Sequence, residues 1–396
     1  MRISTAQMFQ QNINSVLNKQ SATSKIIDQI ASGKRVNTAG DDPVAAIGID
    51  NLNQQNALVD QFMKNIDYAT NRLALTESKL GTAETLTGSV REQILRAVNG
   101  SLSDSERQMI ADELKGTLEE LVSVANTKDE SGNYMFSGYE TGKQPFAFDA
   151  AGNVVYSGDS GVREAIVASG VTLGTNIPGD QAFMNAPSGL GDFSANYSTG
   201  QVGDFRVLSA AISDPATYVD DTYSFTMNGA NLEIRDSSAT LVTTVPGFDA
   251  ANPIKFNGIE VKLDGQPQPG DSFSITPQSQ VSVFDTINQA ITLLEDPNKV
   301  NTPQGKAELA QMLNNIDSGV NQLSIARGEA GNSLKQIERY SSTHVEEKLV
   351  NSSALSMLED LDYASAITEL EKQQLALNAV SSVFSKVGST TLFDYI

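Results

Sequence analysis

The 396-residue sequence contains no cysteine and no tryptophan, and it has a single histidine. Without cysteine the chain forms no disulfide and offers no thiolate for catalysis, for a zinc site or for an iron–sulfur cluster. With His344 alone it cannot supply the two imidazoles that a metalloprotease requires. These absences exclude most classes of enzyme, so we expect no enzymatic activity, no metal and no cofactor.

Positive charge is also scarce. The chain has 27 Lys and Arg against 48 Asp and Glu, which gives a formal net charge of −21. A chain this acidic is poorly suited to bind nucleic acid or an anionic membrane surface. No apolar run approaches the ~20 residues of a membrane span, and residues 1–7 lack the apolar core of a secretory signal. We therefore expect no nucleic-acid partner, no membrane partner and no cleavable signal peptide.

Proline is confined to one part of the chain. Of the 12 prolines, Pro43 stands alone near the start and the others lie between Pro145 and Pro303. Proline in a helix interior costs about 3 kcal/mol. The proline-free stretches 44–144 and 304–396 therefore permit long helices, and the middle of the chain discourages them.

The apolar residues of these stretches recur in steps of three and four. From residue 52 to residue 97 they form a heptad pattern with a few polar members, which predicts one long helix. Asp42 suits its N-cap and Pro43 its first helical position, and Asn99-Gly100 ends it. A further helix is predicted from 103 or 104, and another over 304–350. The predicted stripe of the first helix is Leu52, Gln55, Val59, Phe62, Ile66, Ala69, Leu73, Thr76, Leu80, Ala83, Thr87, Val90, Ile94 and Ala97.

The two ends of the chain carry thinner apolar stripes. Helices with stripes this thin, surrounded by Gln, Asn, Ser and Thr, bury little surface alone, so we predict that they are poorly ordered in a monomer and pack between subunits. The alternative is an ordinary intramolecular bundle core, which we favour for 44–128 and 304–350. The last helix is predicted to follow Asn351-Ser352-Ser353. The predicted packing residues are Ile13, Val16, Ile27, Ile30, Leu370, Leu377, Val380, Phe384 and Val387.

The middle of the chain has short alternating runs separated by turn residues. Asn228-Gly229 and Asn257-Gly258 are hairpin signals, and Asp264-Gly265 marks a further turn. A further hairpin is predicted between 146 and 156. The predicted fold class is α+β: an elongated rod of long coiled-coil-like helices from both termini with an inserted β-rich outer domain. The predicted parts are terminal segments 1–42 and 351–396, a helical rod domain 43–170 and 280–350, and the β-rich domain 171–279.

Isolated acidic residues and the histidine have structural interpretations. Asp41 and Asp42 could suggest a metal site, but the adjoining Pro43 favours capping of the long helix. Asp159 and the Asp220-Asp221 pair lie in turns, where we expect them to be solvated. His344 is predicted to be a packed or partly exposed histidine on the continued helical stripe.

Three motifs resemble the flagellin superfamily. Residues 32–46, SGKRVNTAGDDPVAA, resemble the signature that precedes the long N-terminal helix of that superfamily. Residues 91–107 resemble the loop between its two N-terminal rod helices, and 362–370, DYASAITEL, resemble its C-terminal helix. The motifs occur in the order of the superfamily and cover both ends of the chain.

One stretch separates this chain from the bulk filament subunits. Residues 132–138, GNYMFSG, resemble the members found at the hook–filament junction, and Pro43 departs from the Asp-Asp-Ala-Ala-Gly of flagellins. The resemblance implies a structural subunit of the bacterial flagellum, an adaptor at the junction on which flagellin assembles. The implied partners are further copies of the chain, the adjoining hook-associated junction protein, flagellin, and an export chaperone that covers the C-terminal helix. It also implies type III export, without a cleaved signal, to the extracellular flagellum.

The sequence leaves two alternative functions open. The chain could be a flagellin-type filament subunit, which differs from a junction protein in its copy number. It could also be a secreted surface adhesin that uses the β-rich insert as a binding domain. An adhesin, however, would not need heptad patterns at both termini.

Overall fold

The computed structural model describes residues 5–99 and 102–389. The chain divides into two compact units, Met1–Lys64 with Tyr340–Ile396 (unit 1) and Asn65–Arg339 (unit 2). The three-part division predicted from the sequence remains a prediction. The helices of the described residues are α1 (Thr5–Ser32), α2 (Pro43–Asn99), α3 (Asp104–Ala125), α4 (Val283–Glu295), α5 (Pro303–Glu359) and α6 (Tyr363–Ser389).

Helix α2 follows the predicted heptad stripe closely. It begins at Pro43 and extends to Asn99; Gly100 lies outside the described residues. The predicted stripe is buried from Val59 to Ile94, apart from a half-buried Phe62. Gln55 is exposed, so its predicted place on the stripe is wrong. The period therefore identifies the buried face of α2 between Val59 and Ile94.

Helix α3 starts with a capping box. The Oγ atom of Ser103 accepts a hydrogen bond from the Glu106 amide, and the Glu106 carboxylate accepts one from the Ser103 amide at 2.8 Å. These two bonds satisfy amides that the first helical turn leaves without partners. The start predicted at 103 or 104 is confirmed, and Ile110, Leu114 and Leu121 are buried on one side of the helix.

Helix α5 continues farther than the sequence predicted. A break after 351–353 was expected, but the helix runs through these residues to Glu359. Neither Gly nor Pro occurs there, and Nδ2 of the Asn351 side chain donates to Asn56 Oδ1 at 3.1 Å. The chain instead turns at 360–362, where the Asp362 carboxylate accepts bonds from the amides of Ala364 and Ser365 at 3.0 and 3.2 Å. Asp362 thus caps α6.

The β structure lies in unit 2. The strands found among its described residues are β1 (Phe146–Phe148), β2 (Val154–Tyr156), β3 (Glu164–Ala168), β4 (Val171–Gly174), β5 (Ala186–Pro187), β6 (Phe193–Tyr197), β7 (Arg206–Ile212), β8 (Tyr223–Asn228), β9 (Asn231–Arg235), β10 (Leu241–Val245), β11 (Ile254–Phe256), β12 (Ile259–Asp264), β13 (Ser272–Pro277) and β14 (Gln280–Val281). The predicted hairpin at 146–156 is formed by β1 and β2, with Phe146 opposite Tyr156.

Turn chemistry sets the register of two hairpins. Asn257 and Gly258 have φ of 43° and 73° and connect the paired residues Phe256 and Ile259, as the type I′ signal predicts. At the other hairpin Asn228 pairs with Asn231, so the turn consists of Gly229 and Ala230. The turn is therefore one residue later than the Asn-Gly dipeptide.

Two antiparallel sheets enclose the main β core. One has the strand order β10-β9-β8-β13-β6 and the other has the order β11-β12-β7. Phe225 and Phe273 stack at 4.5 Å between ring centroids, and Phe225 and Phe256 form a T-shaped pair with their centroids 5.6 Å apart. Long helices from both ends of the chain and a central antiparallel β region confirm the α+β class.

Candidate assembly site at the two chain ends

The first and last helices lie side by side in unit 1. They are antiparallel, because Lys34 pairs with Asp360 while the Lys19 ammonium donates to Gln373 Oε1 at 3.1 Å. None of the described side chains of α1 is fully buried, and in the described part of α6 only Ala366 is, at 8% exposed. The pair therefore has almost no buried core of its own.

Most of the predicted packing residues whose side chains are described are half-buried. Ile27 is the exception: it is 48% exposed, whereas the preceding Ile26 is half-buried. The side chains of Phe384 and Val387 lie outside the described residues. The half-buried predicted residues are Ile13, Val16, Ile30, Leu370, Leu377 and Val380.

Further apolar side chains of unit 1 point into solvent. Val44 and Met357 are each 81% exposed, Leu349 is 71% exposed and Leu375 is 69% exposed. Sequence reasoning missed these residues because they lie off the heptad stripe. They could have been recognised as a candidate contact surface, because they are apolar residues on helix faces that carry polar residues in an isolated bundle.

Backbone hydrogen bonds join the segment after α1 to the segment after α5. We call these segments, 32–42 and 358–363, the terminal junction. The Arg35 amide donates to the Glu359 carbonyl at 2.6 Å, and the Leu361 amide donates to the Gly33 carbonyl at 3.0 Å. The two motifs that resemble the flagellin superfamily at opposite ends of the sequence therefore meet within unit 1.

Arg35 connects three parts of the terminal junction. Its guanidinium donates to Asp42 Oδ2 at 3.1 Å and to the Leu358 carbonyl at 2.8 Å. Its own backbone carbonyl accepts a bond from Nε2 of the Gln29 side chain at 2.6 Å. The forked guanidinium can donate hydrogen bonds to a carboxylate and a carbonyl at the same time, and a lysine ammonium group is less suited to this geometry.

Asp41 and Asp42 both organise backbone. Asp41 pairs with Lys25 at 2.8 Å and accepts a bond from the Thr38 amide at 2.9 Å. The pKa of Asp41 is lowered to about 2, mainly because its carboxylate is hydrogen-bonded to the Lys25 ammonium. Asp42 Oδ1 accepts a bond from the Ala45 amide at 3.1 Å at the start of α2, and this bond lowers its pKa. The acidic pair thus has a capping geometry rather than that of a metal site.

Gly33 closes α1 in a conformation that suits glycine. Its φ is +72°, and its amide donates to the Gln29 carbonyl at 2.9 Å. A β-carbon placed there would lie 3.0 Å from Tyr363 Oη. Glycine is therefore favoured at this position for two reasons: the backbone is left-handed, and Tyr363 of the motif at 362–370 comes close to it.

The remaining predicted polar residues have structural roles. His344 is 3% exposed, stacks on Phe62 at 5.5 Å and lies 2.9 Å from Glu347 through Nδ1. The expectation that Asp159 is merely solvated is wrong, because its carboxylate accepts bonds from the amides of Tyr139 and Gly161 at 3.0 and 2.6 Å. These bonds lower the pKa of Asp159, and the bond from the Tyr139 amide has the largest effect.

The acids of the second predicted turn are also bonded. Asp221 Oδ1 accepts a bond from the Thr222 amide at 2.7 Å, and Asp220 Oδ1 accepts one from the Tyr218 hydroxyl at 3.0 Å. Across residues 5–99 and 102–389, no three or more histidine or acidic side chains are grouped as metal ligands. Over the same ranges no helix has the length and apolar character needed to cross a membrane.

The N-terminal motif of the terminal junction lies within a match to a known family. Residues 3–141 match the bacterial flagellin N-terminal helical region. With long helices from both ends and a central antiparallel β region, the match defines the class of protein: a flagellin-like component of the bacterial flagellum.

Full-length relatives refine this class. Flagellar hook-associated protein 3 of Salmonella typhimurium is 26% identical over 100% of this chain and 99% of the relative. The solved hook-associated protein 3 of Legionella pneumophila is 30% identical, with a TM-score of 0.70, over 78% of this chain and 98% of that one. A structure described as the flagellar junction protein of the same organism is 30% identical, with a TM-score of 0.68, over 79% and 99%.

The chain belongs to the flagellar hook-associated protein 3 family. Its relatives are structural proteins of the flagellum, and the resemblance predicted from the motifs is confirmed. The flagellin alternative is the weaker one, because the full-length relatives above carry the name of hook-associated protein 3.

Proposed function

We propose that this chain is a non-enzymatic adaptor of the hook–filament junction, on which flagellin assembles through contacts made by unit 1. The observation that supports the proposal is the incomplete burial of this unit. Six of its predicted packing residues are half-buried, and large apolar side chains such as Val44 and Met357 are 81% exposed. By contrast, Leu73, Leu80 and Ile94 of the same helix α2 in unit 2 are at most 1% exposed.

The energetics favour contact with other subunits. Fully burying one Leu or Ile side chain contributes about 1.5–3 kcal/mol. Several half-buried and exposed apolar residues in unit 1 therefore leave a substantial free energy available on assembly. Copies of the same chain, the adjoining hook-associated junction protein and flagellin are the proposed partners. Before assembly the terminal helices are poorly ordered in this proposal, and they gain order when neighbouring subunits complete their cores.

We also propose that the chain is exported through the flagellar type III channel. A chain that passes unfolded through a type III channel benefits from having no cysteine that could form a cross-link. The half-buried face of α6, with Leu370, Leu377 and Val380, is what an export chaperone would cover before secretion. The proposed destination is the extracellular flagellum, reached without a cleaved signal.

Deletion of the gene tests the adaptor function. The expected phenotype is bare hooks in electron micrographs and flagellin monomers in the culture medium, restored to full filaments by the intact gene. Complete filaments in the deletion strain would contradict the proposal. A photo-crosslinking residue at Leu377 tests the chaperone: it should capture a small cytosolic protein before export, whereas the same probe at the exposed Ile166 of β3 should not.

A further inference from the structure

The chain contains three Asn-Gly dipeptides, at 99–100, 228–229 and 257–258. Asparagine before glycine is chemically labile, because the next backbone nitrogen can attack the side-chain amide carbon and glycine has no side chain that obstructs the attack. Gly100 lies outside the described residues, so only the other two pairs can be compared. Both lie in hairpin turns of unit 2, and their surroundings differ.

Asn228-Gly229 is open to solvent. Residues 228–231 are all exposed, and beyond the chain neighbours of Gly229 nothing lies within 4 Å of a β-carbon built on it. Among the described residues, the Gly229 amide has no hydrogen-bond acceptor. The Asn228 side chain donates from Nδ2 to Glu233 Oε1 at 2.8 Å. The attacking nitrogen is therefore unbonded, and the side chain that it would attack is in solvent.

Asn257-Gly258 is enclosed. Asn257 Nδ2 donates to the hydroxyl of Tyr223 at 3.3 Å, and Tyr223 is 1% exposed. The Gly258 carbonyl accepts bonds from the amides of Ser213 and Asp214 at 2.7 and 3.0 Å. A β-carbon on Gly258 would lie 2.3 Å from the Asp214 carbonyl oxygen. The attack requires the asparagine side chain and the next peptide to rotate toward each other, and these contacts resist that rotation.

We propose that Asn228 is a site of spontaneous deamidation in the folded chain. Hydroxide removes the Gly229 amide proton, and the nitrogen bonds to Asn228 Cγ. The Cγ–Nδ2 bond then breaks, and a proton from water completes the departing ammonia, which leaves a cyclic imide. Water adds to one of the two ring carbonyls and opens the ring to aspartate or isoaspartate. The reaction consumes water and needs no other reactant.

The product should loosen the end of the β8–β9 hairpin. A carboxylate replaces the amide that donates to Glu233, so two like charges face each other, and the net charge of −21 becomes more negative. Isoaspartate also lengthens the backbone by a carbon atom next to the Asn228–Asn231 pair, which closes the hairpin. The site lies in unit 2, so the proposal does not rest on the assembly role of unit 1.

Peptide mapping by mass spectrometry tests the proposal on the full chain, sampled over time in neutral buffer. In the folded chain, we expect Asn228 to be converted at least about tenfold faster than Asn257. In denaturant the two rates should become similar, because each asparagine then precedes an unconstrained glycine. Equal rates in the folded chain, or faster conversion of Asn257, would overturn the proposal. A ratio that denaturant leaves unchanged would assign the difference to local sequence and would refute the structural cause.

Asn231 is the matched control within the same hairpin. It is exposed but precedes Leu232, whose side chain hinders the attack, so it should remain intact. Gly229→Ala should slow the conversion of Asn228 in denaturant, where the folding of the variant does not matter.

A second measurement tests the effect on the hairpin. Asn228→Asp introduces the charge of the product and should accelerate hydrogen exchange at the Asn231 amide by about two- to fivefold. The neutral Asn228→Gln should leave that rate nearly unchanged. An unchanged rate in Asn228→Asp would refute the loosening by charge.

Discussion

The Nη2 atom of Arg35 donates a 2.8 Å hydrogen bond to the carbonyl oxygen of Leu358, although the two residues are 323 positions apart in the sequence. Leu358 lies in the last turn of α5, where carbonyl groups have no partner within the helix. A cation at this end also interacts favourably with the helix dipole. Arg35 therefore caps α5 from the opposite end of the chain and fixes how the two terminal segments of unit 1 meet.

Replacing Arg35 should loosen the terminal junction. In Arg35→Met the bonds to Asp42 and Leu358 are lost, and we expect the local opening free energy to fall by about 1 kcal/mol, since the group is partly solvated. Amide hydrogen exchange at Leu361 should then accelerate about fivefold. Arg35→Lys should recover only part of the protection, because one ammonium does not reproduce the fork.

The matched control is Arg96→Met, which removes an exposed arginine near the end of α2. It should leave the exchange rate of Leu361 unchanged. An unchanged rate in Arg35→Met as well would show that the backbone bonds alone hold the two segments together.

Gly33→Ala should destabilise the terminal junction for two separable reasons. The φ of +72° costs an L-residue about 1 kcal/mol, and the added methyl group would lie 3.0 Å from Tyr363 Oη. We expect a total loss of about 1–2 kcal/mol by thermal unfolding or hydrogen exchange. In the double variant with Tyr363→Phe, the loss of stability caused by the clash with the hydroxyl should disappear. The loss caused by the left-handed backbone should remain.

Gly116→Ala should have the opposite effect on the stability of the chain. Gly116 lies inside α3, and nothing lies within 4 Å of the β-carbon that would be added. Alanine there should stabilise the chain by up to about 1 kcal/mol. If Gly33→Ala were equally stabilising, the left-handed conformation of Gly33 would be wrong.

The parts of the fold predicted from the sequence are those with short-range causes. The proline distribution and the heptad stripe located α2 and α5, and the Asn257-Gly258 signal located a hairpin turn, because each depends on neighbours within a few residues. The end of α5 was predicted too early because Asn351 and the serines after it have low helix propensity. Contacts such as the Asn351–Asn56 bond compensate for that propensity, and periodicity does not show them.

The candidate site was predicted only in part. The stripes identified half-buried residues such as Leu370 and Leu377, but at residues 26 and 27 the heptad selected Ile27 where Ile26 is the more buried side chain. The terminal junction itself was not predicted as a contact. Its bonds join residues more than 300 positions apart, and no local pattern identifies such pairs.

Acid should weaken the terminal junction through Asp41. The folded pKa of Asp41 is about 2, below its ordinary value of 3.8, so the fold favours the charged carboxylate. Its contribution is complete above the ordinary pKa and is lost as the pH falls from about 4 toward about 2. A carboxyl NMR titration of the full chain should report this low pKa, and Lys25→Met should raise it.

Asp41→Asn is the control for this titration. Asp42 has a lowered pKa for a similar reason and titrates in the same direction, so the asparagine variant should retain a smaller acid dependence from Asp42. An ordinary pKa for Asp41 in the free chain would mean that the Lys25 pair forms only after assembly.

A charge on the packing face of α6 should block assembly at the junction. Leu377 is half-buried, and Leu377→Asp would place a carboxylate in a site that neighbouring subunits are proposed to close. A buried unpaired polar group costs about 1–3 kcal/mol in each copy by mutational measures. In a strain that produces only this variant, electron microscopy should show bare hooks, and both flagellin and the variant should appear in the medium.

Gln374→Asp gives the matched control, because Gln374 is exposed on the same helix. This variant should support normal filaments. Retention of the Leu377 variant inside the cell would locate its defect in export rather than in packing between subunits. Normal filaments with Leu377→Asp would remove Leu377 from the assembly surface, and the exposed apolar residues of α2 and α5 in unit 1 would then have to provide the contacts.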